Sequence, residues 1–197
     1  MYEFKFDDKI DFNNYWYFDN LFKDEEIEKI HSLASELNQE AAGMGEEGKI
    51  DDEYRTTQLR WFPQDEKYRW IYGRLGRSAE KANNELWHFN LTSMREPIQY
   101  STYLSEIKGH YEWHNDIGGT GILTQRKVSC VVFLDEPGVD YEGGDFLINN
   151  MGNPWTLENN KKGTAIFFPS FWLHKVSPVT KGLRRTLVMW MGGQPYK

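Results

Sequence analysis

His114 and Asp116 stand two residues apart in Tyr111-Glu112-Trp113-His114-Asn115-Asp116. On an extended segment, side chains two apart leave the same face, so an imidazole and a carboxylate would project together. His174, further on in Phe171-Trp172-Leu173-His174, can supply a second imidazole. Two neutral imidazoles and one carboxylate form the facial triad that suits non-haem Fe(II) and leaves other coordination positions open. Arg184 follows on what reads as the next strand, and its planar fork could anchor an acidic co-substrate beside a metal. Each piece alone has an ordinary explanation. The H-x-D pair can arise by chance in a chain with five histidines, leaving His114 as a polar strand residue bonded to a nearby carboxylate. His174 alone reads as a surface or satisfied core histidine, and Arg184 as a solvated cation beside Arg185 and Lys181. Only their joint occurrence points to a metal centre.

The surrounding segments add a resemblance. The metal-strand hexapeptide, then Gly143-Gly144-Asp145-Phe146, then Gly163-Thr164-Ala165-Ile166-Phe167-Phe168-Pro169-Ser170, then the run from His174 through Val176, Pro178, Val179, Thr180 and Gly182 to Arg184 occur in that order. Over about residues 97–192 this resembles the prolyl 4-hydroxylase-like Fe(II)- and 2-oxoglutarate-dependent dioxygenases of bacterial and phage type. The resemblance implies a double-stranded β-helix, or jelly-roll, core. It implies Fe(II) on His114, Asp116 and His174, 2-oxoglutarate as co-substrate and ascorbate as an accessory reductant. The implied reaction is hydroxylation by O2 of an unactivated C–H bond in a protein, peptide or small molecule, a prolyl residue first among them, releasing succinate and CO2.

If the last strand is regular, Arg184, Thr186, Val188 and Trp190 share one face, and Arg185, Leu187 and Met189 the other. Arg184 would then grip the distal carboxylate of 2-oxoglutarate with Thr186 as a second donor, while Arg185 points away. The resemblance suggests Tyr103 as a hydroxyl donor to the same carboxylate. The connection from Tyr103 to His114 is longer than the family pattern, so Tyr100 is its rival, and core packing suits either. Phe133 and Cys130 lie where relatives place another polar contact, and Phe133 offers no hydroxyl. Trp113, Trp155 and Trp172 could line a substrate groove or pack in the core.

The elements that must position these residues follow from periodicity. Residues 1–20 alternate aromatic and polar side chains and read as extended structure. Asp24 can cap a helix to about Leu37 with Ile27, Ile30, Leu33, Ala34 and Leu37 inward, leaving His31 exposed. Residues 38–53 read as a glycine- and acid-rich loop, a lid over the site or a solvated connection. Arg55 to Phe62 reads as one strand, Asp65 to Glu85 as a second helix, and Trp87 to Leu91 as a short strand holding His88. Many short strands then alternate with Gly, Pro and Asn turns. The expected class is α+β, mainly β. Residues 97–197 form the oxygenase core, and residues 1–96 supply helices and strands to the same domain.

Composition sets outer bounds. In 197 residues, 39 % are hydrophobic and 27 % charged, ordinary for a globular domain, while aromatics reach 16 % with eight tryptophans. The net charge of −7 argues against nucleic acid as partner, because phosphate binding wants clustered cations. The single cysteine, Cys130, sits in an apolar run and reads as a buried small hydrophobe. The chain starts without a basic, apolar leader and holds no membrane-spanning run. A cytoplasmic protein is expected, where Fe(II) stays reduced. Two other classes fit parts of the pattern: a cupin-type metal enzyme without 2-oxoglutarate, and a non-catalytic jelly-roll module stacking sugars on its aromatics.

Overall fold

The computed structural model describes residues 10–41, 51–150 and 152–194. Tyr2, Phe4 and Phe6 of the expected extended start, and positions 42–50 of the 38–53 loop, lie outside these. In chain order the strands are β1 (Trp16–Phe18), β2 (Glu40–Ala41), β3 (Arg55–Thr56), β4 (Gln58–Phe62), β5 (Leu91–Ser93), β6 (Ile98–Leu104) and β7 (His110–His114). They continue with β8 (Arg126–Phe133), β9 (Tyr141–Gly143), β10 (Phe146–Asn149), β11 (Trp155–Thr156), β12 (Ala165–Pro169), β13 (Leu173–Val176) and β14 (Val179–Gly193). Helices α1 (Asp24–Ser35) and α2 (Arg69–Leu86) lie in the N-terminal half. Among the described residues no helix is long and apolar enough to cross a membrane.

Two antiparallel sheets result. The larger runs β1-β12-β8-β14-β6-β4-β2, with β5 and β9 also pairing β14; the smaller runs β11-β10-β13-β7-β3. Alternation along the larger sheet's strands fills two cores at once. On β8, Val128, Cys130 and Val132 join the apolar faces of α1 and α2 with Tyr100, Leu187 and Met189. Val131 and Phe133, from the opposite face of β8, meet Phe146, Ile148 and Val176 of the smaller sheet. Leu187 and Met189 therefore turn their backs on Arg184 and Thr186, as a regular β14 requires.

Several local expectations are corrected. The expected strand Arg55–Phe62 breaks at Thr57: β3 pairs with β7 in the smaller sheet, whereas β4 pairs with β6 in the larger. Glu40–Ala41, placed in a loop by sequence, forms β2 against β4. Lys23 rather than Asp24 holds the N-cap position of α1, and the Glu26 carboxylate accepts its backbone N–H at 3.0 Å. Asp24, Glu25 and Glu26 instead fill the first turn, where the helix dipole favours acids. Trp87 ends α2 instead of starting a strand, and the exposed His88 adopts a left-handed φ of 54°. His31 is half-buried, with Nδ1 3.0 Å from the Tyr100 hydroxyl.

Candidate metal and co-substrate site

A cavity of about 310 Å³ lies between the sheets. The larger sheet contributes Arg184, Thr186, Val188 and Trp190 from β14, Tyr103 from β6, and Leu59 and Trp61 from β4. The smaller sheet contributes Tyr111 and His114 from β7, and His174 from β13. Asp116 lines it from the turn after β7. Trp113, Trp155 and Trp172 are not among its lining residues; Trp61 and Trp190 are its tryptophans. Trp172 is 2 % exposed, its indole N–H donating to the Phe12 carbonyl at 3.1 Å.

The register of β7 and β13 makes His114 and His174 direct cross-strand partners. Their candidate ligand atoms and those of Asp116 lie within 4.8 Å of one another. His114 Nδ1 meets the Glu112 carbonyl at 2.7 Å, and His174 Nδ1 meets the Trp172 carbonyl at 3.1 Å. A neutral imidazole facing a carbonyl must carry its proton there, so each Nε2 presents a lone pair. Burial, and then the neighbouring His174, push His114 down to about 3, so it is neutral at physiological pH. His114 Nε2 stands 4.0 Å from Asp116 Oδ1, and His174 Nε2 3.7 Å from Oδ2. These separations are too long for hydrogen bonds. Burial alone would raise Asp116, but His174, His114, Arg126 and the Ser129 hydroxyl reverse this and hold it at about 2. Two lone pairs and one carboxylate thus face a common point without bonding each other. That donor set fits a divalent first-row metal.

Arg184 is 1 % exposed, and among the described residues its guanidinium has no carboxylate partner; its polar neighbour is the Tyr141 hydroxyl. Its nearest neighbours are aromatic: the guanidinium carbon is 5.0 Å from the ring centre of Tyr103, 5.7 Å from Phe133 and 6.0 Å from Tyr141. Tyr103 lies directly across from it on β6. Tyr100, on the opposite face, turns its hydroxyl to His31 and does not line the cavity. Arg185 faces away as expected, but it is not a solvated cation. Its Nε lies 3.1 and 3.0 Å from the two oxygens of Asp135, which is 2 % exposed. Cys130 is fully buried on the helix side, and burial raises its thiol well above the usual range.

The sequence reading missed several groups. Ser129 donates to Asp116 Oδ2 at 2.6 Å. The ring of Tyr111 stacks on His114 at 3.5 Å and 15°, and the Arg55 guanidinium covers Tyr111 at 4.2 Å. Burial pushes Tyr111 up to about 12. Arg126, ion-paired with Glu96, lies 3.6 Å from the Trp190 ring centre. Only the position of Ser129 on the inward face of β8 was readable in advance, from its alternation with Val131 and Phe133.

Residues 98–192 match the 2OG-Fe(II) oxygenase superfamily. A PKHD-type hydroxylase of Colwellia psychrerythraea is 42 % identical over 91 residues, covering 44 % of this chain and 39 % of that protein. The chain thus spans about two-fifths of the length of such curated relatives. A prolyl-4-hydroxylase of Pseudomonas putida superposes with a TM-score of 0.69 at 18 % identity, covering 91 % of this chain and 92 % of that one. A prolyl hydroxylase of Trichoplax adhaerens gives 0.73 at 15 % identity, with 91 % and 84 % covered. These two likenesses speak to the fold alone. The stretch that carries His114, Asp116, His174 and Arg184 thus resembles the 2OG-Fe(II) oxygenase superfamily and its prolyl 4-hydroxylase-like hydroxylases.

Proposed function

We propose that the protein is an Fe(II)- and 2-oxoglutarate-dependent dioxygenase that hydroxylates an unactivated C–H bond of a prolyl residue in a protein or peptide, releasing succinate and CO2. The observation that carries this reading is Arg184, a buried cation without an anionic partner among the described residues, in the same cavity as the His114, Asp116 and His174 donors. A cupin-type enzyme without an acidic co-substrate leaves that cation unexplained, and a sugar-stacking module leaves the donors unexplained. The architecture we assign is a double-stranded β-helix in residues 97–197, supported by residues 1–96, in a cytoplasmic protein.

In this reading His114 and His174, through Nε2, and Asp116 hold Fe(II). The metal, with 2-oxoglutarate and O2, supplies the oxidising chemistry that protein side chains lack. Arg184 receives the distal carboxylate of 2-oxoglutarate in a planar two-pronged contact, with Thr186 and Tyr103 as adjoining hydroxyl donors. Glu112 and Trp172 fix the two imidazoles through their carbonyls. Val131, Phe146 and Val176 exclude water around the donors. Leu59, Trp61 and Trp190 give the cavity an apolar wall suited to an uncharged ring. Prolyl targets draw support from relatives named prolyl hydroxylases, among them the Trichoplax protein described in complex with a hypoxia inducible factor peptide fragment.

The test is incubation with Fe(II), 2-oxoglutarate, ascorbate and a panel of proline-containing peptides and free amino acids under air. Succinate release together with a mass gain of one oxygen atom on a prolyl residue is expected. Succinate release coupled to oxygen gain on another residue type would reject the prolyl assignment and keep the oxygenase.

A further inference from the structure

The Asp116 carboxylate is not held symmetrically. Ser129, fully buried on β8, donates to Oδ2 at 2.6 Å. The Ser129 and Ser170 hydroxyl oxygens lie 2.9 Å apart, and Ser170 is also fully buried. A hydroxyl has one proton, and the carboxylate claims that of Ser129, so Ser170 must be the donor in the second contact. The chain of donors therefore runs from Ser170 through Ser129 to Oδ2, each bond polarising the next. The backbone holds the pair in place. The Asp116 N–H donates to the Ser170 carbonyl at 2.9 Å, the Ser170 N–H to the Lys127 carbonyl at 2.9 Å, and Arg126 to the Asp116 carbonyl at 3.1 Å. Oδ1 receives no donor among the described residues and stands 4.0 Å from His114 Nε2, while Oδ2, which carries the Ser129 bond, stands 3.7 Å from His174 Nε2.

We propose that Ser129, with Ser170 behind it, is the positioning residue that makes Asp116 a one-oxygen metal ligand through Oδ1. This rests on His114, Asp116 and His174 being the ligands. A carboxylate with both oxygens free can chelate a metal ion and fill two coordination positions. A hydrogen bond from a buried hydroxyl takes one of the two lone pairs on the second oxygen and biases the carboxylate toward one-oxygen binding, which spares a position for co-substrate or O2. Ser129 touches neither of these; it acts through Asp116.

The experiment titrates the full-length protein with Co(II), whose visible ligand-field absorption reports coordination number, and then adds 2-oxoglutarate. Ser129→Ala should weaken Co(II) binding by about 10- to 100-fold, change the absorption of the loaded protein, and blunt the further spectral change on adding 2-oxoglutarate. Ser129→Thr, which keeps the hydroxyl, should restore all three, and Ser170→Ala should fall between wild type and Ser129→Ala. A residue needed only for packing would lower the unfolding midpoint of the metal-free protein and leave the absorption of the loaded, folded fraction unchanged. A folded Ser129→Ala with wild-type affinity and absorption overturns the proposal. Should Ser129→Ala not fold, Ser129→Cys, with a weak S–H donor in nearly the same space, carries the same expectation and the same refutation. If the wild-type protein itself takes up no Co(II), the ligand reading fails and this proposal with it. If wild type binds and the serine variants match it, only the role of Ser129 is lost.

Discussion

At Arg184 the guanidinium is buried without an anionic partner among the described residues, and an uncompensated buried charge costs several kcal/mol. The surrounding rings of Tyr103, Phe133 and Tyr141 offset part of this, but cation–π contacts are worth only about 0.5–2 kcal/mol each. Replacing the cation by an apolar side chain of similar reach should therefore stabilise the protein lacking co-substrate. We expect Arg184→Leu to raise its unfolding free energy by about 1–4 kcal/mol in urea titration, and to abolish the absorption change on adding 2-oxoglutarate to the Fe(II)-loaded protein under anaerobic conditions. A destabilised Arg184→Leu would mean that the guanidinium is already satisfied within the fold. Its neighbour should behave oppositely. Arg185→Ala strands the buried Asp135 carboxylate and should cost about 3–5 kcal/mol, with 2-oxoglutarate affinity of the folded fraction unchanged. His114→Ala and His174→Ala should each remove Fe(II) binding and succinate production; retained turnover in either would reject that ligand.

Among the elements, the turn between β9 and β10 decides whether Arg184 has room. Gly144 has φ +63°, and a Cβ there would come within 2.8 Å of Arg184 Cδ and 2.9 Å of Val179 Cγ2. Gly144→Ala should combine left-handed strain with displacement of the guanidinium, costing about 1–3 kcal/mol in stability. 2-Oxoglutarate affinity should fall more steeply than affinity for Co(II). Equal losses would show general disruption instead. The sequence made this turn visible through Gly143 and Gly144, and it made β7, β8, β12, β13 and β14 visible through short alternating or apolar runs. It did not reveal that Arg55–Phe62 divides between two sheets at Thr57. Period-two alternation is the same in either sheet, and the division is set by partners far along the chain, Tyr111 for Arg55 and Ile98 for Phe62. Trp61 and Arg55 were missed as lining residues for the same reason. The facing of Arg184 against Arg185 was legible because alternation along one regular strand needs no knowledge of partners.

Across the whole molecule, α1 and α2 pack on one face of the larger sheet and the site occupies the other, so the sheet separates the helical core from the chemistry. His31 marks the helical side of that division. Its helical stripe alone reads as solvent-facing, yet the larger sheet brings up Tyr100 and half-buries the imidazole. Burial, and then Arg185 on β14 with Lys162, push His31 down to about 4, against weaker upward pulls from Glu28 on its own helix and from Asp140. The sign follows from linkage. Between the ordinary value near 6.5 and about 4 the unfolded chain binds a proton that the folded one does not, so stability is full above pH 6.5, falls as pH drops through that window, and levels off below 4. Because the ring is only half-buried, solvent screening limits the loss to about 1–3 kcal/mol. His31→Gln keeps a polar partner for Tyr100 without the titration. Its urea midpoint should therefore decline less than that of the wild type between pH 7.5 and 5. His114 is lowered too and contributes a loss of the same sign, but it is common to both proteins and cancels in the difference, the two sites lying on opposite faces of the sheet. Parallel declines would show that the imidazole is free to take up its proton in the folded state, and that α1 can shift away from β6 to let it.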